Sequence, residues 1–100
     1  MSYKTVSIII PLYNEAATIG QILKKVMAAD TLGLKKDIVV VDDGSTDRSP
    51  ALLAELAAAH PFVRPQRHPH NRGIAAAWKT GIAAARGHLV CFIDADLQYQ

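Results

Sequence analysis

The sequence at residues 38–47 reads IVVVDDGSTD, a β-branched run that ends in two carboxylates and a turn. A short continuous run of Ile and Val is typical of a strand buried on both faces, as in a parallel sheet. Gly44 suits a backbone angle with φ > 0, and Ser45, Thr46 or Asp47 could cap a helix that begins just beyond them. The segment therefore predicts a strand, a polar loop and a helix in that order.

The flanking sequence repeats this order. Residues 6–10 form another β-branched run, and residues 16–29 carry apolar side chains at helical spacing. Further helices are predicted to end near residue 59 and to span residues 73–86, before a last strand at 89–93. Pro65 interrupts residues 62–67, which are a poor strand pattern and allow an edge strand as the alternative. The alternation predicts an α/β, Rossmann-like, mostly parallel sheet with helices on both faces.

Apolar spacing identifies the helix faces that should contact the sheet. The first helix has four such residues, Ile19, Ile22, Leu23 and Val26. In the third helix, Ile74, Trp78 and Ile82 mark one face, and Gly87 stands at the expected C-terminal cap. Trp78 is interpreted as a core residue rather than a sugar-stacking platform. Cys91 lies in an apolar run without an activating partner and is interpreted as an inert core residue.

Composition limits the class of protein. The 100 residues are 50% apolar and 20% charged with a net charge of +2, which indicates one globular domain over residues 1–100 and no nucleic-acid partner. The first apolar run is too short for a signal peptide or a membrane span, so we expect a cytoplasmic domain. Because the chain stops just after a charged loop, we also expect it to be part of a longer protein.

Acidic and amide side chains follow the last predicted strand. In an extended segment, Asp94, Asp96 and Gln98 would project to the same side and offer three oxygen ligands. Oxygen ligands favour Mg²⁺ or Mn²⁺. A solvated acidic turn explains this segment equally well when it is taken alone.

Two other loops should reach the same edge of the sheet. Two adjacent carboxylates exceed what a helix cap requires, and Asp43 is the candidate to accept a hydrogen bond from a base or a ribose hydroxyl. The sequence PLYNE at 11–15 follows the first strand, so it should lie beside the ends of the second and fourth strands. Tyr13 could stack on a base, whereas the alternative is that Asn14 or Glu15 only begins the helix.

The basic segment at residues 64–73 contains two histidines, His68 and His70. They lack a matching pair at zinc spacing, so a solvated loop is favoured over a metal site. Arg72 and Lys79 are candidate phosphate contacts. The sequence has neither G-x-G-x-x-G nor G-x-x-x-x-G-K-[ST], so a metal ion is expected to neutralise a diphosphate instead.

In combination these motifs resemble the family 2 glycosyltransferases of the GT-A fold, especially the polyprenol-phosphate, dolichol-phosphate mannose synthase-like branch. The motifs occur in order along nearly the whole chain: VSIIIPLYNE at 6–15, IVVVDDGSTD at 38–47, Asn71-x-Gly73, and DADLQ at 94–98. The chain departs from the family pattern at Trp78-Lys79, where many relatives carry Arg-Asn, and at Tyr99-Gln100, where some carry His-Pro.

The resemblance implies a metal-dependent, inverting transfer from a GDP- or UDP-sugar to an acceptor, for which a lipid phosphate such as polyprenyl phosphate is one candidate. It implies seven nucleotide contacts, from Pro11, Tyr13, Glu15, Val41, Asp43, Asp94 and Ala95. It also implies that Asp96 and Gln98 bind Mg²⁺ or Mn²⁺. The catalytic base of relatives lies in a later region, so we assign none and expect residues 1–100 to be inactive alone. Any membrane association would come from a C-terminal region of a longer parent, at the cytoplasmic face.

Two alternatives stay open. A sugar nucleotidyltransferase has a similar sheet, but it usually carries a Gly-rich loop with Arg and Lys where this chain has residues 11–15. A non-catalytic nucleotide-binding or regulatory domain would have no physical need for Asp43, Asp94 and Asp96, which repel one another without a cation.

Overall fold

Strands and helices alternate throughout the described region. A computed structural model describes residues 4–93, with the order β1 (Thr5–Leu12), α1 (Ile19–Ala28), β2 (Lys35–Asp43), α2 (Ser49–Ala59), β3 (Val63–His68), α3 (Ile74–Ala84) and β4 (Leu89–Phe92). The strands lie in the order β3-β2-β1-β4, and every pair is parallel. The predicted α/β class is confirmed, and β3 is the edge strand that the sequence allowed as an alternative.

The two central strands supply both faces of the core because their Ile and Val runs contain few polar residues. One face, formed by residues such as Ile8 and Ile38, packs against α1 and α2. The other face, formed by Ile9, Val39 and Val41, packs against α3. Each fully buried side chain of this kind contributes roughly 1.5–3 kcal/mol relative to an exposed one. The helices therefore cover both faces of the sheet, as predicted.

Helix α1 buries the four residues that its spacing predicted, Ile19, Ile22, Leu23 and Val26. It begins at Ile19 rather than at residue 16, because the backbone N–H groups of Thr18 and Ile19 both bond to the carbonyl of Glu15 in a preceding turn. Within residues 4–93, no helix combines the length and the apolar character needed to span a bilayer.

Helix α3 contacts the sheet through small residues, which corrects the predicted face. Ile74 and Ile82 are 55% and 52% exposed, whereas Ala77 and Gly81 are buried. A Cβ at Gly81 would overlap the side chain of Ile9, so the helix approaches the sheet at a distance that only a small residue permits. Trp78 is half-buried and packs against this second core, as predicted, with its ring edge-to-face on that of Phe92 at 4.8 Å between centroids.

Two smaller predictions about the end of this region were wrong. Helix α3 ends at Ala84 with Ala85 at its C-cap, so Gly87 is not the cap. Cys91, predicted to be a core residue, is exposed. The reason is that β4 pairs with β1 along one edge, and all four β4 residues are exposed within the described part of the chain.

A buried polar cluster lies in the amino-terminal half of the sheet. The Asp37 carboxylate accepts hydrogen bonds from Ser7 Oγ (2.7 Å), from Arg64 Nε and Nη2 (2.7 and 2.9 Å), and from the Arg86 N–H (3.0 Å). Burial raises the pKa of Asp37, but these hydrogen bonds outweigh it and lower the pKa to about 2. Arg64 also donates to the Ala84 carbonyl (2.6 Å). It therefore belongs to this buried cluster, which corrects the prediction of a solvated loop for the segment that begins at Arg64.

Candidate functional site

Asn14 joins the loop after β1 to the loop after β2. Its side-chain Oδ1 accepts hydrogen bonds from the N–H groups of Thr46 (2.7 Å) and Asp47 (3.2 Å). Its own N–H donates to Ser45 Oγ (2.9 Å), and its backbone adopts φ +50°. Asn and Gly tolerate this left-handed conformation better than other residues. The alternative that Asn14 only begins α1 is therefore wrong, because it links two loops.

Further hydrogen bonds strengthen this link. The Glu15 N–H donates to Ser49 Oγ (3.1 Å), and the Ala16 N–H donates to Asp47 Oδ2 (3.2 Å). Asp47 Oδ1 accepts from the N–H of Ser49, the first residue of α2, at 2.9 Å. Of the three predicted capping residues, Asp47 thus satisfies a donor at the start of the helix, while Ser45 serves the neighbouring loop. The first two loops form one hydrogen-bonded unit.

Asp43 connects this unit to the loop after β3. It is 4% exposed at the end of β2. Its Oδ1 accepts hydrogen bonds from His68 Nδ1 (2.7 Å) and the Arg72 N–H (2.9 Å), and its Oδ2 accepts from the Gly73 N–H (2.9 Å). Burial raises the pKa of Asp43, but the three hydrogen bonds have the greater effect and lower it, so the carboxylate is ionised at neutral pH.

His68 is buried, which corrects the prediction that both histidines belong to a solvated loop. It is 4% exposed at the end of β3, and its Nε2 lies 2.7 Å from Thr80 Oγ1 in α3. Arg64, Gln66 and His68 alternate along β3, and contacts of Arg64 and His68 reach α3. Sequence reasoning missed this because it did not rely on β3 as a strand. His70, by contrast, is exposed.

Gly44 brings the second and third loops into contact. Its φ is +76°, as the turn was predicted to require. A Cβ at this position would overlap the backbone of His70 and Asn71. The loops after β1, β2 and β3 therefore pack side by side along the carboxyl ends of the strands, where open α/β sheets bind their ligands.

The predicted nucleotide contacts in the described region share this edge. Pro11 and Val41 are buried partners in the register of β1 and β2. Tyr13 is 45% exposed, Glu15 is half-buried, and Asp43 is buried. The order of the strands puts the first loop between the ends of β2 and β4, as predicted. Four further predicted site residues lie outside the described residues: Asp94, Ala95, Asp96 and Gln98.

Asp42, to which the sequence assigned no role, has an unusual environment. It is 1% exposed, and its Oδ1 accepts a hydrogen bond from the Ser45 N–H (2.9 Å). Its Oδ2 is buried and has no hydrogen-bond partner among residues 4–93. A buried carboxylate oxygen without a partner is costly, and such atoms concentrate at functional sites.

The described residues do not themselves form a metal centre. Across residues 4–93, no group of three or more His, Cys, Asp and Glu side chains is arranged to hold a metal ion. Asp43 is already engaged by three donors from the protein. The predicted ligands, Asp96 and Gln98, offer carboxylate and amide oxygens, a donor set whose chemistry fits Mg²⁺ or Mn²⁺.

Comparison with known proteins identifies the family. Residues 7–100 match Glycosyl transferase family 2, and the chain therefore belongs to that family. The chain is 44% identical over 96 residues to the undecaprenyl-phosphate 4-deoxy-4-formamido-L-arabinose transferase of Edwardsiella ictaluri (strain 93-146), covering 93% of this chain and 29% of that protein. The enzyme of the same name from Pseudomonas paraeruginosa (strain DSM 24068 / PA7) is 44% identical over 98 residues, covering 93% of this chain and 28% of that protein.

Two solved structures share the fold. The mannosyltransferase PcManGT from Pyrobaculum calidifontis, in complex with GDP-Man and Mn²⁺, superimposes with a TM-score of 0.84 and 34% identity over 96% of this chain and 28% of that chain. S. aureus TarS 1-349, in complex with UDP-GlcNAc, gives a TM-score of 0.80 and 27% identity over 92% of this chain and 26% of that chain. The chain thus spans less than a third of the length of these relatives.

Proposed function

We propose that this chain forms the nucleotide-sugar-binding part of a glycosyltransferase that transfers a sugar from a nucleoside-diphosphate sugar to an acceptor. The observation that carries the proposal is the joining of three loops at the carboxyl ends of the strands. Asn14 ties the first loop to the second, and Asp43 ties the second to the third. A site held by such contacts is arranged before the donor arrives, which reduces the ordering cost of binding.

The base and ribose of the donor would lie against the first two loops. Pro11 and Val41, paired in register and buried, would support the base from beneath, and the exposed Tyr13 ring would stack on the base. Asp43 has four lone-pair sites and uses three for donors within the described residues, so its Oδ2 would offer the fourth to a base N–H or a ribose hydroxyl. Glu15, Asp94 and Ala95 would complete the contacts.

The diphosphate would lie toward Asp94 and Asp96. Asp96 and Gln98 would hold Mg²⁺ or Mn²⁺ through their oxygen atoms, and the bound ion supplies electrostatic stabilisation of the departing nucleoside diphosphate. The Mn²⁺ and GDP-Man in the PcManGT structure support this assignment. We propose Mg²⁺ or Mn²⁺ as the bound ion, and the roles given to the individual residues are proposals as well.

The related proteins support a class of donor and a class of acceptor. GDP-Man in one related structure and UDP-GlcNAc in another support a GDP- or UDP-sugar donor. The names of the similar transferases support undecaprenyl phosphate, a lipid phosphate, as the acceptor class. The transfer would invert the anomeric carbon, take place on the cytoplasmic side, and use a base from outside residues 1–100.

Calorimetric titration of the chain with GDP and UDP tests the proposal. We expect one of the two nucleotides to bind in Mn²⁺ and to bind at least tenfold more weakly in EDTA. Asp96→Asn should weaken binding only when Mn²⁺ is present, whereas Asp30→Asn, an exposed aspartate beyond α1, should bind as the parent chain does. Binding that is equally strong without metal, or unchanged affinity in Asp96→Asn, would contradict the metal assignment. The chain alone is expected to transfer no sugar.

A further inference from the structure

His68 occupies a position that neither the sequence motifs nor the proposed function explains. It ends the edge strand β3, it is 4% exposed, and both ring nitrogens are engaged. Nδ1 lies 2.7 Å from Asp43 Oδ1, and Nε2 lies 2.7 Å from Thr80 Oγ1. The imidazole therefore links a carboxylate at the end of β2 to a hydroxyl in α3, across two elements that are distant in sequence.

The bond from His68 decides which oxygen of Asp43 is available. An ionised carboxylate oxygen accepts about two hydrogen bonds. Oδ1 already accepts from His68 Nδ1 and from the Arg72 N–H, whereas Oδ2 accepts, among residues 4–93, only from the Gly73 N–H. The side chain of Asp43 keeps 6% exposure. With Oδ1 fully used, Oδ2 is the atom that can accept a hydrogen bond from a ligand.

We propose that His68 is a positioning residue of the donor site, which acts through Asp43 and does not touch the donor itself. Its Nδ1–H fixes the rotation of the Asp43 carboxylate, and that carboxylate in turn holds the N–H groups of Arg72 and Gly73 in one arrangement. Thr80 orients the imidazole from the other side by donating to, or accepting from, Nε2. This inference rests on the proposed function, because it assumes that Asp43 contacts the nucleotide.

Two polar substitutions separate the two bonds of the imidazole. In His68→Asn, the amide nitrogen can stand near the place of Nδ1, so the bond to Asp43 is kept and the bond to Thr80 is lost. In His68→Gln, the longer side chain reaches toward Thr80 and loses Asp43. His70→Gln is the matched control, because His70 is exposed two residues further on.

Amide hydrogen exchange tests the positioning role of His68 without any ligand. In His68→Gln, we expect the protection of the Arg72 and Gly73 N–H groups to fall at least fivefold, while His68→Asn and His70→Gln stay within twofold of the parent chain. Equal protection in the Asn and Gln variants, whether retained or lost, would overturn the proposal, because a merely structural role does not distinguish the two ring nitrogens.

Nucleotide affinity tests whether His68 affects the donor site through Asp43. We expect the dissociation constant of the nucleotide that binds in Mn²⁺ to rise about tenfold in His68→Gln, equivalent to about 1.4 kcal/mol, and to rise less than threefold in His68→Asn. Loosened amides with unchanged affinity would overturn the link while leaving the glycosyltransferase proposal intact. If the parent chain binds neither GDP nor UDP, the proposed function fails, and the amide exchange still decides whether His68 positions Asp43.

Discussion

Replacing Asp37 by Asn tests whether the buried cluster in the amino-terminal half of the sheet stabilises the fold through its charge. Asp37 is 8% exposed and bonds to Ser7, to both the Nε and the Nη2 of Arg64, and to the Arg86 N–H. Asn preserves the shape and one acceptor oxygen but removes the negative charge. The substitution therefore changes the packing little, and it removes the charge together with the hydrogen bonds that the second oxygen accepts.

The size of the effect follows from the pKa. Burial opposes ionisation of Asp37, yet the hydrogen bonds lower its pKa from 3.8 to about 2. A folded-state pKa below the unfolded one means that the unfolded chain binds the proton more readily, so acid favours unfolding. At about 1.4 kcal/mol per pKa unit, the charge contributes about 2 kcal/mol above pH 5. Most of that contribution is lost as the pH falls from about 5 to about 2.

Urea denaturation of both proteins at several pH values between 6 and 2 measures the difference. We expect Asp37→Asn to be less stable than the parent chain by about 2 kcal/mol at pH 6 and by well under 1 kcal/mol at pH 2. Taking the difference cancels the other carboxylates, including Asp43 and Asp47, whose pKa values are also lowered. A stability difference that stays constant from pH 6 to pH 2 would refute the argument.

Three further tests address the loops, each a substitution with a control variant. Asn14→Ala removes the acceptor for two loop N–H groups and strains a backbone at φ +50°, so we expect the free energy of unfolding to fall by about 2 kcal/mol in urea denaturation. Asn14→Gly also removes the acceptor, but glycine adopts φ +50° without strain, so its loss of stability should be smaller. Gly44→Ala should lower the free energy of unfolding by at least about 2 kcal/mol, whereas Gly20→Ala, whose Cβ meets nothing within 4 Å, should lose nothing; equal stabilities would contradict the overlap. Tyr13→Ala should weaken calorimetric nucleotide binding about tenfold while Tyr13→Phe keeps it, since stacking needs only the ring; equal affinities would exclude stacking.

Local sequence was sufficient to predict the central elements. Residues 6–10 and 38–41 have no polar face, which is typical of a strand covered by helices on both sides. The spacing of the apolar residues in α1 was equally direct, because that helix contacts the sheet with large side chains. Gly44 was identified from its residue type, since a turn with φ > 0 favours glycine.

The misses involve contacts between residues distant in sequence. Arg64 and His68 form hydrogen bonds with residues of α3. The residue pattern of β3, interrupted by Pro65, does not indicate these contacts with a helix that follows later in the chain. Helix α3 was misread because the face nearest the sheet consists of Ala77 and Gly81, while the largest apolar residues flank it. A periodicity argument gives weight to large side chains and therefore fails where close approach selects small ones.

The two polar clusters of the sheet differ in a way that locates function. In the amino-terminal half, Ser7 and Asp37 are buried, and both Asp37 oxygens have partners, as expected of a cluster that stabilises the fold. At the carboxyl ends, Asp42 Oδ2 is buried without a partner in the described region, and Asp43 Oδ2 retains an acceptor site. Folding disfavours buried polar atoms without partners, and such atoms concentrate at functional sites, so the environment of Asp42 Oδ2 agrees with the donor site that we propose at this edge of the sheet.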